Sequence, residues 1–93
     1  MRSRLAGELF DAIFFHVRDG KDFPDEEGTE LADDEAAKSE AIVASAEMMG
    51  DLGRKFWEGG AWEMQVVDET GREVVTLHFR GEMRTPGAGP ARR

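Results

Sequence analysis

Alternating apolar and polar residues predict three β-strands in this chain, at Ile13–Val17, Ala61–Asp68 and Glu73–Arg80. The last two strands are separated by a turn that contains Gly71, so we expect them to pair as an antiparallel hairpin. A short edge strand between Glu27 and Leu31 is also predicted, because an acidic, turn-rich segment there returns the chain along the first strand.

A long amphipathic helix is predicted from Asp33 to Trp57. Asp33 is a good N-cap, since its carboxylate can accept a hydrogen bond from a free backbone N–H of the first turn. Apolar residues then recur at three- and four-residue steps, which is typical of a helix with one buried face. The predicted buried face comprises Ala37, Ala41, Ala44, Met48 and Leu52, with Ile42, Met49 and Phe56 beside it.

The composition of this helix predicts how it packs and where it ends. Alanines dominate its first half, so we expect that half to lie closest to the sheet. Gly50 and Gly53 each disfavour a helix by roughly 1 kcal/mol relative to Ala, so the last turns should bend or fray. Gly59-Gly60 should end the element, and Glu40 and Glu47 on the opposite face should be exposed.

Together these elements predict an α+β fold of two layers, in which a small antiparallel sheet packs on one long helix in the order β-(β)-α-β-β. A length of 93 residues is sufficient for one small domain. We assign residues 13–82 to that domain, residues 1–12 to an N-terminal extension, and residues 83–93, which include two prolines, to a disordered tail.

Acidic residues are concentrated in the middle of the chain. Residues 19–47 contain eleven acidic and two basic side chains, and the whole chain has a net charge of −8. A negative surface repels phosphate groups, so we expect no direct binding to nucleic acid. The acidic block is either a solvated surface or a docking face for a basic protein partner.

The chain contains no cysteine, which excludes disulfides and thiol catalysis and suits the reducing cytoplasm, where we expect the protein. No apolar stretch approaches the ~18 residues of a membrane span, so no membrane association is predicted. Glu8 and Asp11 interrupt the apolar residues behind the basic start, so we also expect no signal peptide.

Candidate chemistry is sparse. His16 and His78 are the only histidines, and alternation places both on the face opposite the core, where they could form half of a metal site or supply a general base. A structural metal needs about four ligands. The acidic residues around Gly28 do not have the spacing of a calcium loop. We therefore predict no enzyme activity, no catalytic residue, no metal site and no cofactor.

The outward face of the sheet is the more informative feature. Alternation places Phe14, His16, Thr76 and His78 there, and one helix cannot cover both faces of a sheet. Exposed apolar patches often mark association sites. We therefore predict that these four residues form the interface of a homodimer, unless the N-terminal segment folds over Phe14 within one chain.

Two stretches, Phe14–Gly20 (FFHVRDG) and Pro24–Leu31 (PDEEGTEL), resemble a family of short uncharacterised proteins that is abundant in rhizobia and related alphaproteobacteria. The family is similar also in its alanine-rich helix and in a hairpin like Val66–Arg72. The resemblance covers about residues 13 to 80. It implies no activity, since the family has no assigned reaction.

A looser resemblance, in shape alone, is to the antitoxin half of small toxin–antitoxin pairs that have a partial ribonuclease H-like sheet. Fold does not determine function. We therefore predict a small non-enzymatic protein-interaction or regulatory module. The alternative is an antitoxin-like protein that neutralises a basic partner through its acidic face, and an enzyme ranks third.

Overall fold

A computed structural model describes residues 10–84 and confirms the α+β class, with one α-helix packed on a five-stranded antiparallel sheet. Most of the predicted N-terminal extension (1–12) and of the predicted tail (83–93) lies outside the described residues. In chain order the elements are β1 (Asp11–Arg18), β2 (Asp22–Phe23), β3 (Thr29–Leu31), α1 (Asp34–Leu52), a 3₁₀ helix (Gly53–Glu58), β4 (Ala61–Asp68) and β5 (Glu73–Arg80).

The sheet has the order β2-β1-β4-β5, and β3 also pairs with β1. The hairpin of β4 and β5 is confirmed at its predicted bounds. β1 begins at Asp11, two residues before the predicted start, and the predicted edge strand is confirmed as β3. β2 was not predicted; it pairs Phe23 with Val17 and Asp22 with Arg18.

The predicted alternation places the core on one face of the sheet. Ile13 of β1 and Trp62, Met64 and Val66 of β4 are at most 3% exposed. Val75, Leu77 and Phe79 of β5 are only half-buried against this cluster. The central strand β4 is therefore covered better than the strand beside it.

α1 begins as predicted. The Asp33 side chain accepts a hydrogen bond of 2.8 Å from the backbone N–H of Ala36. Ala37, Ala41 and Ser45, which follow one another at four-residue steps, are completely buried. Because these side chains are small, the helix lies close to β4, and the Ser45 hydroxyl donates to the sulfur of Met64 at 3.4 Å.

The predicted helix face is wrong at two positions. Met48 is 37% exposed and Ile42 is 58% exposed, whereas Ser45 is buried although it was not predicted to be. The buried line runs from Ala41 through Ser45, so Met48 lies at its margin. There Met48 lines a groove of about 310 Å³ together with Phe23 of β2.

The predicted weakness at the end of the helix is also observed. Gly53 adopts a φ of 55°, a left-handed value that favours glycine, and its N–H donates to the carbonyl of Met49. The chain then continues as the 3₁₀ helix to Glu58, where Gly59 and Gly60 lead into β4. The α-helix thus ends at Leu52, before its predicted end at Trp57, because Gly53 leaves the α-helical conformation.

A set of ionic hydrogen bonds joins the hairpin turn to the start of the helix. Asp68 Oδ1 accepts from the hydroxyl and N–H of Thr70 and from the N–H of Arg72. The Arg72 guanidinium donates to Asp68 Oδ2 at 3.0 Å and to both oxygens of Asp34 at 3.0 and 3.2 Å. The Thr70 hydroxyl and then these N–H groups lower the pKa of Asp68 to about 2, against the opposing effect of burial.

We expect acid to weaken this link. Because the pKa of Asp68 in the folded protein lies below its ordinary value of 3.8, the folded chain binds fewer protons than the unfolded chain between these values. The stabilisation is complete above about pH 5 and is lost as the pH falls towards about 2. Asp68→Asn should therefore cost about 1–2 kcal/mol near neutral pH, where the charged hydrogen bonds are lost.

Urea unfolding at several pH values measures this effect. Asp68→Asn should have a shallower acid dependence than the original chain, whereas Asp51→Asn on the exposed side of α1 should behave like the original chain. Equal acid dependence for the original chain and Asp68→Asn would show that this carboxylate does not anchor the turn.

Candidate functional site on the outer face of the sheet

The four predicted interface residues share the outer face of the sheet, in two different places. Phe14 and His16 belong to β1, whereas Thr76 and His78 belong to β5. Strand β4 lies between β1 and β5 and separates the two pairs. The interface set therefore consists of two pairs at opposite sides of the face.

The strand register fixes the neighbours of each histidine. His16 is paired with Gln65, which is paired in turn with Thr76, and His78 is paired with Glu63. The two imidazoles are thus on strands that are about 10 Å apart, given a spacing of about 4.8 Å between neighbours. Within residues 10–84 no group of three His, Cys, Asp or Glu side chains is arranged for a metal.

The β5 pair lies in a polar and solvated environment. The His78 side chain is 69% exposed, and its Nδ1 lies 3.8 Å from Glu63 Oε1. Thr76 donates a hydrogen bond to one oxygen of Glu73, and Gln65 donates to the other. The bond from Thr76, followed by the one from Gln65, lowers the pKa of Glu73. Glu73 is thereby held as a carboxylate above the ends of β4 and β5.

Asp25, one of the acidic residues around Gly28, organises the β1 pair, a role that the sequence pattern did not predict. Its Oδ2 accepts a hydrogen bond of 3.1 Å from the backbone N–H of Phe15, and its Oδ1 accepts from the N–H groups of Glu27 and Gly28 at 3.1 and 3.0 Å. Burial opposes ionisation of this carboxyl, but the bonds from Gly28, Phe15 and Glu27 outweigh it and lower the pKa.

The position of Asp25 explains why a carboxylate is needed there. β2 pairs with β1 at Val17 and Arg18, and β3 pairs with β1 from Asp11 to Ile13. Neither β2 nor β3 pairs with residues 14–16 of β1. The Asp25 carboxylate supplies the acceptor that a strand would have offered to Phe15, since a backbone N–H without a partner is costly to bury.

His16 takes part in the same loop. Its Nδ1 accepts a hydrogen bond of 3.0 Å from the backbone N–H of Asp25, so Nδ1 has no proton and the neutral ring carries its proton on Nε2. The ring also stacks on Phe14, with centroids 6.3 Å apart and planes inclined by 10°. Because Nδ1 is already an acceptor, His16 does not offer that nitrogen as a general base.

Gly28 closes the loop over Phe14. Its φ is 75°, and a Cβ at this position would lie 2.8 Å from the Phe14 ring, so only glycine fits without a shift. The two motifs that carry the family resemblance are therefore in direct contact. The first contributes Phe14 and His16, and the second contributes Asp25 and Gly28. No single stretch of sequence shows this contact, which is why the pattern alone did not reveal it.

A cleft of about 300 Å³ lies beside this loop. Its walls include His16, Pro24, Glu63 and Gln65, and the exposed ion pair of Arg18 with Asp22, whose atoms are 2.9 Å apart, lies at its rim. Its lining combines the positive Arg18 with the negative Asp22 and Glu63. This mixture suits polar contacts with another protein surface better than it suits a strongly charged small molecule.

We expect removal of the Asp25 carboxylate to open the loop. Asp25→Ala leaves three backbone N–H groups without their acceptor and should destabilise the protein by about 2–3 kcal/mol. Asp22→Ala removes only an exposed ion pair and should cost less than about 0.5 kcal/mol. Chemical denaturation measures both costs, and amide hydrogen exchange should show faster exchange at Phe15 in Asp25→Ala alone. Unchanged protection of Phe15 would show that the carboxylate does not hold the loop.

Within the described residues, no helix combines the length and apolar character that a membrane crossing requires.

Comparison with known proteins agrees with the extent of the motifs. No match was found among curated proteins or among solved structures. The occurrence of the family in rhizobia stays a prediction. A family model described as a domain of unknown function, DUF6894, matches residues 13–80, which is most of the chain, and the chain therefore belongs to that family.

Proposed function

We propose that this domain is a small non-enzymatic protein-interaction or regulatory module that works as a homodimer in the cytoplasm. The observation that supports this proposal is the use of its polar side chains. Asp25 and His16 hold the loop over Phe14, and Asp68 with Arg72 holds the hairpin turn on the helix. The residue types that carry chemistry in enzymes are thus engaged in building a surface.

The surface that they build suits association. His78 is exposed on the outer face of β5, whereas Thr76, Phe14 and His16 are half-buried. A second copy of the chain is the commonest occupant of such a surface, because twofold contacts are self-complementary. We propose that Thr76 and His78 of β5 lie in the dimer interface and that Phe14 and His16, two strands away on β1, lie outside its centre.

Sedimentation equilibrium on the full chain tests the homodimer. We expect a reversible dimer with a dissociation constant in the micromolar range, since a small domain buries a modest area on pairing. A chain that remains monomeric at the highest soluble concentration would contradict this part of the proposal.

A second candidate function rests on the acidic residues. Glu26 and Glu27 are exposed on the loop and Glu30 is exposed on β3, whereas Glu40, Glu47 and Asp51 are exposed on α1. The one lysine near them on the helix, Lys38, is paired with Glu35 at 2.6 Å. A negative surface of this kind would steer a basic partner towards the helix side of the domain. This is the feature that favours the antitoxin-like alternative.

Charge reversal tests the acidic surface against a basic protein partner isolated from the native host. Glu40→Lys with Glu47→Lys should slow association by roughly tenfold at low salt, because the attraction that steers the partner is reduced. Glu58→Lys with Glu82→Lys changes the net charge equally but away from the acidic block, and should have a smaller effect. Equal effects of the two double variants, or an association rate indifferent to salt, would exclude this role.

A further inference from the structure

β5 forms an open edge of the sheet. It is eight residues long and pairs with β4 on one side, and within residues 10–84 no other strand pairs with it. It contains neither proline nor lysine, and its sequence EVVTLHFR is rich in β-forming residues. Natural proteins usually shorten, charge or cover such an edge, because its free backbone groups bind another strand.

One hydrogen bond shows which backbone groups of β5 point outward. The N–H of Gly81 donates to the carbonyl of Gly60 at 2.9 Å, and the next pair along the ladder is Ala61 with Arg80. Hydrogen bonding alternates along an antiparallel pair. The N–H and C=O groups of Leu77 and Phe79 therefore point to β4, and those of Thr76, His78 and Arg80 point to the open side.

The side chains of β5 are also incompletely covered on the inner face. Val75, Leu77 and Phe79 are half-buried, whereas their partners on β4, Val66, Met64 and Trp62, are 0%, 0% and 3% exposed. Ile42 of α1 is also 58% exposed.

We propose that the open edge of β5 pairs antiparallel with β5 of a second copy and joins the two sheets into one. This inference rests on the proposed homodimer and names its contact. Residues directly opposite each other in such a pair point to the same face. One residue of β5 must therefore lie opposite the same residue of the second copy, at the twofold axis. The outward backbone groups of Thr76 and His78 must take part in the hydrogen bonding.

We place Leu77 at the axis, opposite Leu77 of the second copy. In this register Thr76 of one copy lies opposite His78 of the other, and Val75 lies opposite Phe79 of the second copy, so apolar side chains meet on the inner face. A register centred on Thr76 would use the irregular start of β5 beside Val66 and Val67 and would oppose Arg72 to Arg80 of the second copy. A register centred on His78 would oppose the two imidazoles. Neither conflict arises when Leu77 is central.

Charged residues at positions 76 and 78 test both the pairing of the β5 edges and the register of that pairing. Thr76→Lys with His78→Lys places like charges opposite each other twice and should weaken the dimer about tenfold, since each such pair is unfavourable. Both lysines would lie on the outer face, near Glu73 and Glu63 of the same copy, so the fold should persist. Thr76→Lys with His78→Glu places opposite charges across the axis and should restore the original dissociation constant.

The control is Gln65→Lys at the centre of the outer face, which should leave an edge dimer unchanged. Dissociation constants come from sedimentation equilibrium on full chains, with circular dichroism to confirm folding. Two results together would overturn the edge contact and leave the homodimer intact. They are a weaker dimer in Gln65→Lys, and a dissociation constant that Thr76→Lys with His78→Glu does not return to its original value. A full chain that is monomeric throughout would overturn the edge contact and the homodimer together.

Discussion

The structure depends on the limited width of a single helix. α1 has a diameter of about 10–12 Å, whereas neighbouring strands are about 4.8 Å apart, so the helix covers two strands well and the others in part. Its small residues Ala37, Ala41 and Ser45 bring it close to β4, whose inner residues are completely or almost completely buried. Both sides of the sheet are left with residues that are only half-buried. How the half-buried residues on each side of the sheet are covered determines which surfaces are accessible to other proteins.

The two sides are completed differently. On the β1 side the chain itself returns as β2 and β3, and the Asp25 carboxylate bridges the interruption between them by binding the N–H of Phe15. His16 and Gly28 close that loop over Phe14. On the β5 side no described element performs this role. The side that is closed contains the residues of both resemblance motifs, and the side that is open contains Thr76 and His78.

Local patterns were sufficient to predict most of the fold. Alternation identified the inward residues of β1, β4 and β5, and Asp33 marked the start of the helix because capping depends on its immediate neighbours. The angular position of α1 was less accessible. Met48 lies three residues after Ser45, about 60° away around the helix. Which of the two side chains is buried depends on tertiary packing that the spacing of apolar residues does not define.

Alternation predicted which residues belong to the candidate site but did not predict how they are arranged. Phe14, His16, Thr76 and His78 were placed on one face from alternation alone, but the order of strands that separates them is a long-range property. The role of Asp25 was missed for a related reason. Its partner at Phe15 is ten residues away and becomes adjacent only when β2 and β3 return along β1.

The proposed association at the open edge of β5 can be followed at individual backbone amides. Amide hydrogen exchange is measured by NMR below and above the dissociation constant of the dimer. The amides of Thr76 and His78 should become protected as the concentration rises, whereas that of Leu77, already bonded to β4, should change little. Exchange at Thr76 and His78 that is fast and independent of concentration, in a chain that nevertheless dimerises, would exclude pairing through this edge.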